Sequence, residues 1–161
     1  MRKRCTLSAM EEQAMVGIRR LAIADLSKAK HLFVEVFKEE PWLDRWTDEQ
    51  LDLYFGDLMD GSRSLCFVLY AEDMLIGLCM GRLFHWYSGT EYDIREFCIA
   101  KAWQGKGMGK QFLDLVGKEL KIEGVQAIIL STLADTPAFG FYQHAGFSVH
   151  TDARFLYKRL G

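Results

Sequence analysis

The stretch Gln104-Gly105-Lys106-Gly107-Met108-Gly109-Lys110 carries the strongest chemical signal in this chain. Alternating glycines let consecutive backbone N–H groups point into one small volume, because a residue without Cβ reaches conformations closed to others. A helix is predicted to open at Met108, and a helix N-terminus adds unused N–H donors and partial positive charge. The sum is a site for a phosphate-type anion, with Lys106 and Lys110 near enough to add charge. A ligand-free strand-to-helix turn would read the same way. Two familiar phosphate loops do not fit. A Walker A loop needs Gly where Gln104 stands and Ser or Thr where Gln111 stands. A dinucleotide fingerprint starting at Gly105 needs a third Gly where Lys110 stands.

A second chemical group lies just upstream. Glu96 precedes the apolar run Phe97-Cys98-Ile99. A carboxylate withdrawn from water gains proton affinity and becomes a usable base near neutral pH. The alternative is a structural carboxylate paired with Arg95 or Arg82. Asp93 is a weaker base candidate, because strand alternation puts it on the face opposite Glu96. Two aromatic–acidic loops could receive a cation: Glu39–Trp46, with Trp42 and Trp46, and His85–Ser88, with Trp86 and Tyr87. Trp42 and Trp46 fit equally well as buried indoles that pin a loop.

These groups have to be positioned by a single set of elements. A strand at Val16–Leu21 is followed by a helix that Asp25 caps and that buries Leu26, Ala29, Phe33, Val36 and Phe37. Thr47-Asp48-Glu49-Gln50 is a capping box opening a second helix with Leu51, Tyr54, Phe55 and Leu58 inward. Strands at Ser64–Glu72 and Leu75–Phe84 form a hairpin, and a third strand runs over Glu91–Ala100. A helix at Met108–Ile122, a strand at Gln126–Leu133 and a short helix opened by Thr136-Pro137 follow. Phe147–His150 and Arg154–Lys158 are predicted to close the sheet. This order gives an α/β (α+β) domain over residues 16–161, behind an N-terminal extension at residues 1–15.

Composition narrows the function classes. The net charge of −2 over 161 residues leaves no basic footprint for nucleic acid. No apolar run reaches the roughly 18 residues of a membrane span, and no signal peptide is legible at the start. Cys5, Cys66, Cys79 and Cys98 have wide, irregular spacings that support neither a disulfide framework nor a metal site. A reduced, cytoplasmic protein without a metal is expected.

Three segments, in order, resemble the GNAT superfamily of N-acetyltransferases. Gln104–Gly109 matches its Q/R-x-x-G-x-G/A signature. Glu96-Phe97-Cys98-Ile99 is similar to its strand before that turn. Ala138-Phe139-Gly140-Phe141-Tyr142-Gln143-His144-Ala145-Gly146-Phe147 resembles its A-x-x-(F/L)-Y-x-x-x-G-F segment. The resemblance is sharp over residues 96–147 and covers about residues 16–160. It implies a mixed, mostly antiparallel sheet of six to seven strands, splayed at the cofactor site and flanked by about four helices. It implies acetyl-CoA as co-substrate, with the pyrophosphate on Gln104, Gly105, Lys106, Gly107, Met108, Gly109 and Lys110. Backbone contacts from Phe97, Cys98 and Ile99, and contacts from Phe141 and Asp135, follow from the same resemblance. Many relatives carry Asn where this chain has Asp135, so that amide donor is lost, and proline is frequent where Lys101 stands. Tyr142 takes the place of the family's general acid and Glu96 that of its base.

The acceptor-facing loops are those around Trp42, Trp46, Trp86 and Tyr87. Their Glu-Pro-Trp sequence also occurs in some aminoglycoside N-acetyltransferases and in N-terminal acetyltransferases for ribosomal protein. A small cationic, aminoglycoside-like amine is the expected acceptor. A peptide amine, a non-catalytic acyl-CoA-binding domain and a homodimer stay open.

Overall fold

The computed structural model describes residues 15–161; the N-terminal extension, apart from Met15, lies outside them. Five strands pair in sequence order: β1 (Val16–Arg20), β2 (Ser64–Ala71), β3 (Met74–Trp86), β4 (Gly89–Ile99) and β5 (Val125–Leu130). The first four are antiparallel, and β5 lies parallel to β4. The helices α1 (Leu26–Phe37) and α2 (Asp48–Met59) cover one face; α3 (Met108–Ile122) and α4 (Pro137–His144) cover the other. No helix among the described residues is long and apolar enough to cross a membrane.

Strand alternation builds the two cores. On the α1/α2 side Val68, Leu78, Met80 and Cys98 pack against Ala29, Phe33, Phe37, Leu51 and Phe55. On the other side Phe67, Leu69, Ile76, Cys79 and Tyr92 meet Phe112, Val116 and Leu120 of α3. Cys66, Cys79 and Cys98 are buried free thiols. The capping box of α2 forms as its sequence predicts: Thr47 Oγ1 accepts from the Gln50 N–H at 3.2 Å, and Gln50 Oε1 accepts from the Thr47 N–H at 3.0 Å.

Two sequence expectations are corrected. Asp25 does not cap α1. It closes a single 3-10 turn, Ile23–Asp25, by accepting from the Ala22 N–H at 2.9 Å. It also accepts from Arg19 at 2.6 and 2.8 Å and from the Tyr70 hydroxyl at 2.7 Å. The Arg19 guanidinium holds this buried carboxyl well below the usual carboxylate range. The sheet has five strands among the described residues, not six or seven, because Phe147–His150 and Arg154–Lys158 join no ladder. Phe155, Leu156, Tyr157 and Leu160 all stand exposed there. Strand propensity expresses fit to a pleated, half-buried surface, and apolar residues without such a surface form no strand.

A β-bulge in β4 governs the site. Met80 pairs with Glu96 while Gly81 pairs with Ile94, so Arg95 is the extra, unpaired residue. The bulge reverses side-chain parity. Tyr92 and Ile94 face α3, yet Glu96 and Cys98 face α1 and α2. Asp93, paired with Arg82, therefore shares a sheet face with Glu96, which corrects the expectation from simple alternation. Gly81 permits this geometry: a Cβ there would stand 2.4 Å from the Asp93 carbonyl oxygen. Gly81→Ala is expected to cost about 1–3 kcal/mol, the usual penalty for overpacking. Urea denaturation at an unchanged midpoint would contradict this account of the bulge.

Candidate active site

The pairing of β4 with β5 runs only from Thr90↔Val125 to Ile94↔Leu130. β5 ends at Leu130, so the ladder stops at Ile94. Residues 96–99 pair with β3 on one side and, among the described residues, with no strand on the other. Backbone groups along such an edge need partners from water or a ligand. The opening ends at the glycine turn.

Gln104 folds its side chain back there, and Nε2 donates to the Ile99 carbonyl at 2.9 Å. This bond ties the turn to the end of β4, so Gln104 has a structural task. Gly105 (φ 72°) and Gly107 (φ 76°) both adopt the left-handed conformation, and nothing lies within 4 Å of where their Cβ atoms would stand. Gly107 is the N-cap of α3, and the first helical bond runs from the Gln111 N–H to the Gly107 carbonyl at 3.1 Å. The N–H groups of Met108, Gly109 and Lys110 thus have no partner within the helix. This cradle suits an anion that approaches the backbone closely. Gly109 has a different reason to be glycine: a Cβ would lie 2.9 Å from the Phe141 ring, so its absence lets α3 seat against α4. Lys110 pairs with Asp114 at 2.8 Å, and Lys106 lies 5.8 Å from the Trp103 ring centroid.

An aromatic wall lines the α3/α4 side of the opening. Phe97 stacks on Phe112 at 5.3 Å and on Phe141 at 5.8 Å. The Tyr142 ring stands edge-on to Phe97, Phe141 and Phe147, at 6.3, 5.2 and 5.4 Å. Its hydroxyl has no hydrogen-bond partner among the described residues, and no buried side-chain oxygen or nitrogen there lacks one, so the hydroxyl reaches solvent. Burial of the ring pushes the phenol well above its ordinary value. Asp135 is exposed, just before α4.

Glu96 faces the opposite side. It makes no ion pair among the described residues: Arg95 pairs with Asp93 at 3.4 Å, and Arg82 caps the C-terminus of α2 through the Asp57 and Asp60 carbonyls at 2.8 and 3.1 Å. Instead Glu96 Oε1 accepts from the Tyr54 hydroxyl of α2 at 2.5 Å. Burial raises the Glu96 carboxyl to about 7; the Tyr54 bond works against that rise, and the nearby Asp44 charge adds to it. Burial and the Glu96 bond push the Tyr54 phenol up in turn, so it stays a donor.

Tyr54 is also a wall of an open cleft of ≈ 520 Å³, lined with it by Asp44, Arg45, Trp46, Gln50, Leu53 and Asp57. Trp46 stacks on Tyr54 at 5.0 Å and donates from Nε1 to Asp44 at 3.4 Å. Two carboxylates beside a stacked aromatic pair favour a cation. Of the four aromatic residues expected on the acceptor side, Trp46 alone lines this cleft. Trp42 packs against Phe37 at 5.8 Å. Trp86 and Tyr87 sit exposed at the tip of the β3–β4 hairpin, 5.6 Å from each other.

The family model described as the acetyltransferase (GNAT) family matches residues 9–147. The chain belongs to the acetyltransferase (GNAT) family. Members of this family are acetyl-CoA-dependent acyltransferases, and this chain is an enzyme of that class. Among solved structures, an aminoglycoside acetyltransferase from an uncultured soil metagenomic sample, in complex with sisomicin, is 20% identical at a TM-score of 0.72; the match covers 91% of this chain and 97% of that one. AAC(6')-Iy, in complex with the bisubstrate analogue CoA-S-monomethyl-acetylneamine, is 16% identical at a TM-score of 0.72, covering 90% and 99%. Glucosamine-6-phosphate N-acetyltransferase from Arabidopsis thaliana is 19% identical at a TM-score of 0.65, covering 91% and 99%. At these identities the likeness is one of fold. No curated protein is similar enough in sequence to match.

Gln50, Leu53, Tyr54 and Asp57 are the residues of this acetyltransferase's cleft that sequence reasoning missed. Helical spacing assigned Tyr54 to the core face of α2, and its ring is indeed half-buried against Phe33 and Trp46. The available signal was its hydroxyl: one polar atom on a face otherwise made of Leu51, Phe55 and Leu58 needs a partner when buried.

Proposed function

We propose that the chain moves the acetyl group of acetyl-CoA to a primary amine of a small cationic acceptor, by direct attack of that amine. One observation carries the reading: a single strand end combines the free β4 edge, the glycine cradle at its foot and a half-buried carboxylate bonded to Tyr54, a wall of an acidic, aromatic cleft. The cradle fits a pyrophosphate because the space a Cβ would take at Gly105 and Gly107 is free. Gly105–Lys110 would hold that group, and the free edge over Phe97–Ile99 would bond the amide-bearing arm. Bound acetyl-CoA supplies an acyl group already activated as a thioester.

The chain's own residues do the rest. Asp44 and Trp46 draw in the ammonium form of the acceptor and orient it. The Glu96 carboxylate takes one proton from that ammonium, directly or through one water, and leaves a neutral amine. Tyr142 holds a proton at Oη for the departing thiolate, and the phenol keeps that proton through the neutral range until the leaving group develops charge. As the amide forms, the attacking nitrogen gives up a second proton, which restores the Tyr142 hydroxyl through water, and the proton on Glu96 returns to solvent.

An aminoglycoside-like acceptor agrees with the charge of the cleft and with the ligands of two solved structures of the same fold. A peptide amine is the second reading, because the cleft is open rather than closed around its contents.

Gly107→Val tests the cofactor assignment. A β-branched residue is a poor fit to a φ of 76°, and its side chain fills the cradle. Titration calorimetry with CoA is expected to show affinity reduced at least about tenfold, a loss of roughly 1.4 kcal/mol, in a protein with an unchanged circular dichroism spectrum. A folded variant that binds CoA normally would remove the turn from the site.

A further inference from the structure

Tyr54 joins two parts of the site. Its ring is a wall of the acceptor cleft and stacks on Trp46, while its hydroxyl reaches past that wall to Glu96. Only Oε1 of Glu96 is engaged; Oε2 has no partner among the described residues, and no buried side-chain oxygen there is left unsatisfied, so Oε2 is open to solvent or a ligand. A carboxylate held by one oxygen from a fixed ring keeps one orientation, and the other oxygen is the one that can receive a proton. The donor is itself held by two rings, Phe33 at 6.2 Å and Trp46 at 5.0 Å.

We infer that Tyr54 is the positioning residue of Glu96: it holds the carboxylate through Oε1, directs Oε2 toward the acceptor and favours the charged form by its donated hydrogen bond. This rests on the reading of Glu96 as the base. The titratable groups whose charge is felt at Glu96 are few. Tyr54 comes from α2, Asp44 from the loop between α1 and α2, and Arg95 and Cys98 from β4, while Tyr142 of α4 acts from the other side of the sheet. Tyr54 alone among the described residues bonds to the carboxylate. Its donation favours the charged form, while burial and the Asp44 charge favour the neutral one. Removing the hydroxyl leaves the opposing influences in place, so the carboxyl must take up its proton at higher pH.

The test needs no acceptor. Glutamate side-chain carboxyl carbons are labelled with carbon-13, and the Glu96 signal is identified by its absence in Glu96→Gln. In the wild-type chain the signal is expected to titrate near pH 7. In Tyr54→Phe, which keeps the ring on Trp46, the midpoint is expected to rise by about one unit, or about tenfold less carboxylate on the acidic side of the titration. If Tyr54→Phe does not fold, fluorotyrosine at position 54 supplies the opposite perturbation. Its more acidic phenol donates more strongly, and the midpoint is expected to fall. A midpoint unmoved by the phenylalanine variant, or moved downward, overturns the inference, as does an unmoved midpoint with fluorotyrosine. Failure here is separable from failure of the base assignment. That assignment is judged by turnover of Glu96→Gln, whereas this titration reads Glu96 whether or not it is catalytic.

Discussion

Tyr142→Phe is expected to reduce acetyl transfer by about 10²–10⁴-fold, the range for a lost general acid, while acetyl-CoA affinity stays close to wild type. The substitution is conservative in packing. The ring contacts to Phe97, Phe141 and Phe147 do not involve the oxygen, and the hydroxyl has no partner among the described residues to strand. Stability should therefore change little, and the loss should appear in kcat rather than in the binding of either substrate. Burial raises the phenol above its ordinary value of 10.0, so the acid stays protonated across the neutral range. The pH–rate profile of the wild-type enzyme should then show no basic limb from this group below pH 10. A wild-type rate in the variant, under conditions where chemistry limits turnover, would remove Tyr142 from the reaction.

Glu96→Gln is expected to separate activity from stability. The folded carboxyl is raised from 4.5 to about 7. Below pH 4.5 the group is protonated whether the chain is folded or not. Between pH 4.5 and about 7 the unfolded chain releases a proton that the folded chain keeps, so stability falls as pH rises through this window and then levels off. At roughly 1.4 kcal/mol per pH unit, the cost above pH 7 has a ceiling of about 3 kcal/mol. Glutamine keeps the shape, still accepts from the Tyr54 hydroxyl and never ionises, so the cost disappears. Thermal melts at pH 8 should show the variant more stable, by about 2–4 °C for each kcal/mol recovered. At pH 4 the two proteins should melt together. Turnover at neutral pH should fall by about 10²-fold or more and recover in part at high pH, where free amine is abundant. A variant less stable than wild type at pH 8 would show that Glu96 is a structural carboxylate. An unchanged rate and profile would pass the base role elsewhere, to Asp93 first, which the bulge has brought onto the same face.

Much of this arrangement is legible in the sequence because it depends on local rules. Glycines before a helix announce the cradle, the capping box marks the start of α2, and apolar spacing places α3. What is not legible arises from contacts distant in sequence. Nothing in Asp93-Ile94-Arg95-Glu96 states that Arg95 is an inserted residue; the companion mark, Gly81, lies on another strand. Without the bulge, alternation separates Asp93 from Glu96. Tyr54 and Glu96 are 42 positions apart, and only the packing of α2 on the sheet brings them to 2.5 Å. The two closing strands were read from composition, but a strand exists only where a neighbour offers its edge. Trp42 and Trp46 differ by four positions and part company for the same reason: one packs on Phe37, and the other turns along the cleft beside Tyr54.

The central claim is transfer of an acetyl group to an amine across the opened edge of β4. Incubation of the protein with acetyl-CoA and a panel of amines, including aminoglycosides, polyamines and short peptides, tests it most directly when free thiol and acceptor mass are both followed. The expected result is thiol release that depends on a cationic primary amine, with one acetyl group appearing on that amine, and loss of both signals in Tyr142→Phe. Binding of acetyl-CoA with no thiol release above background for any amine in the panel would contradict the account.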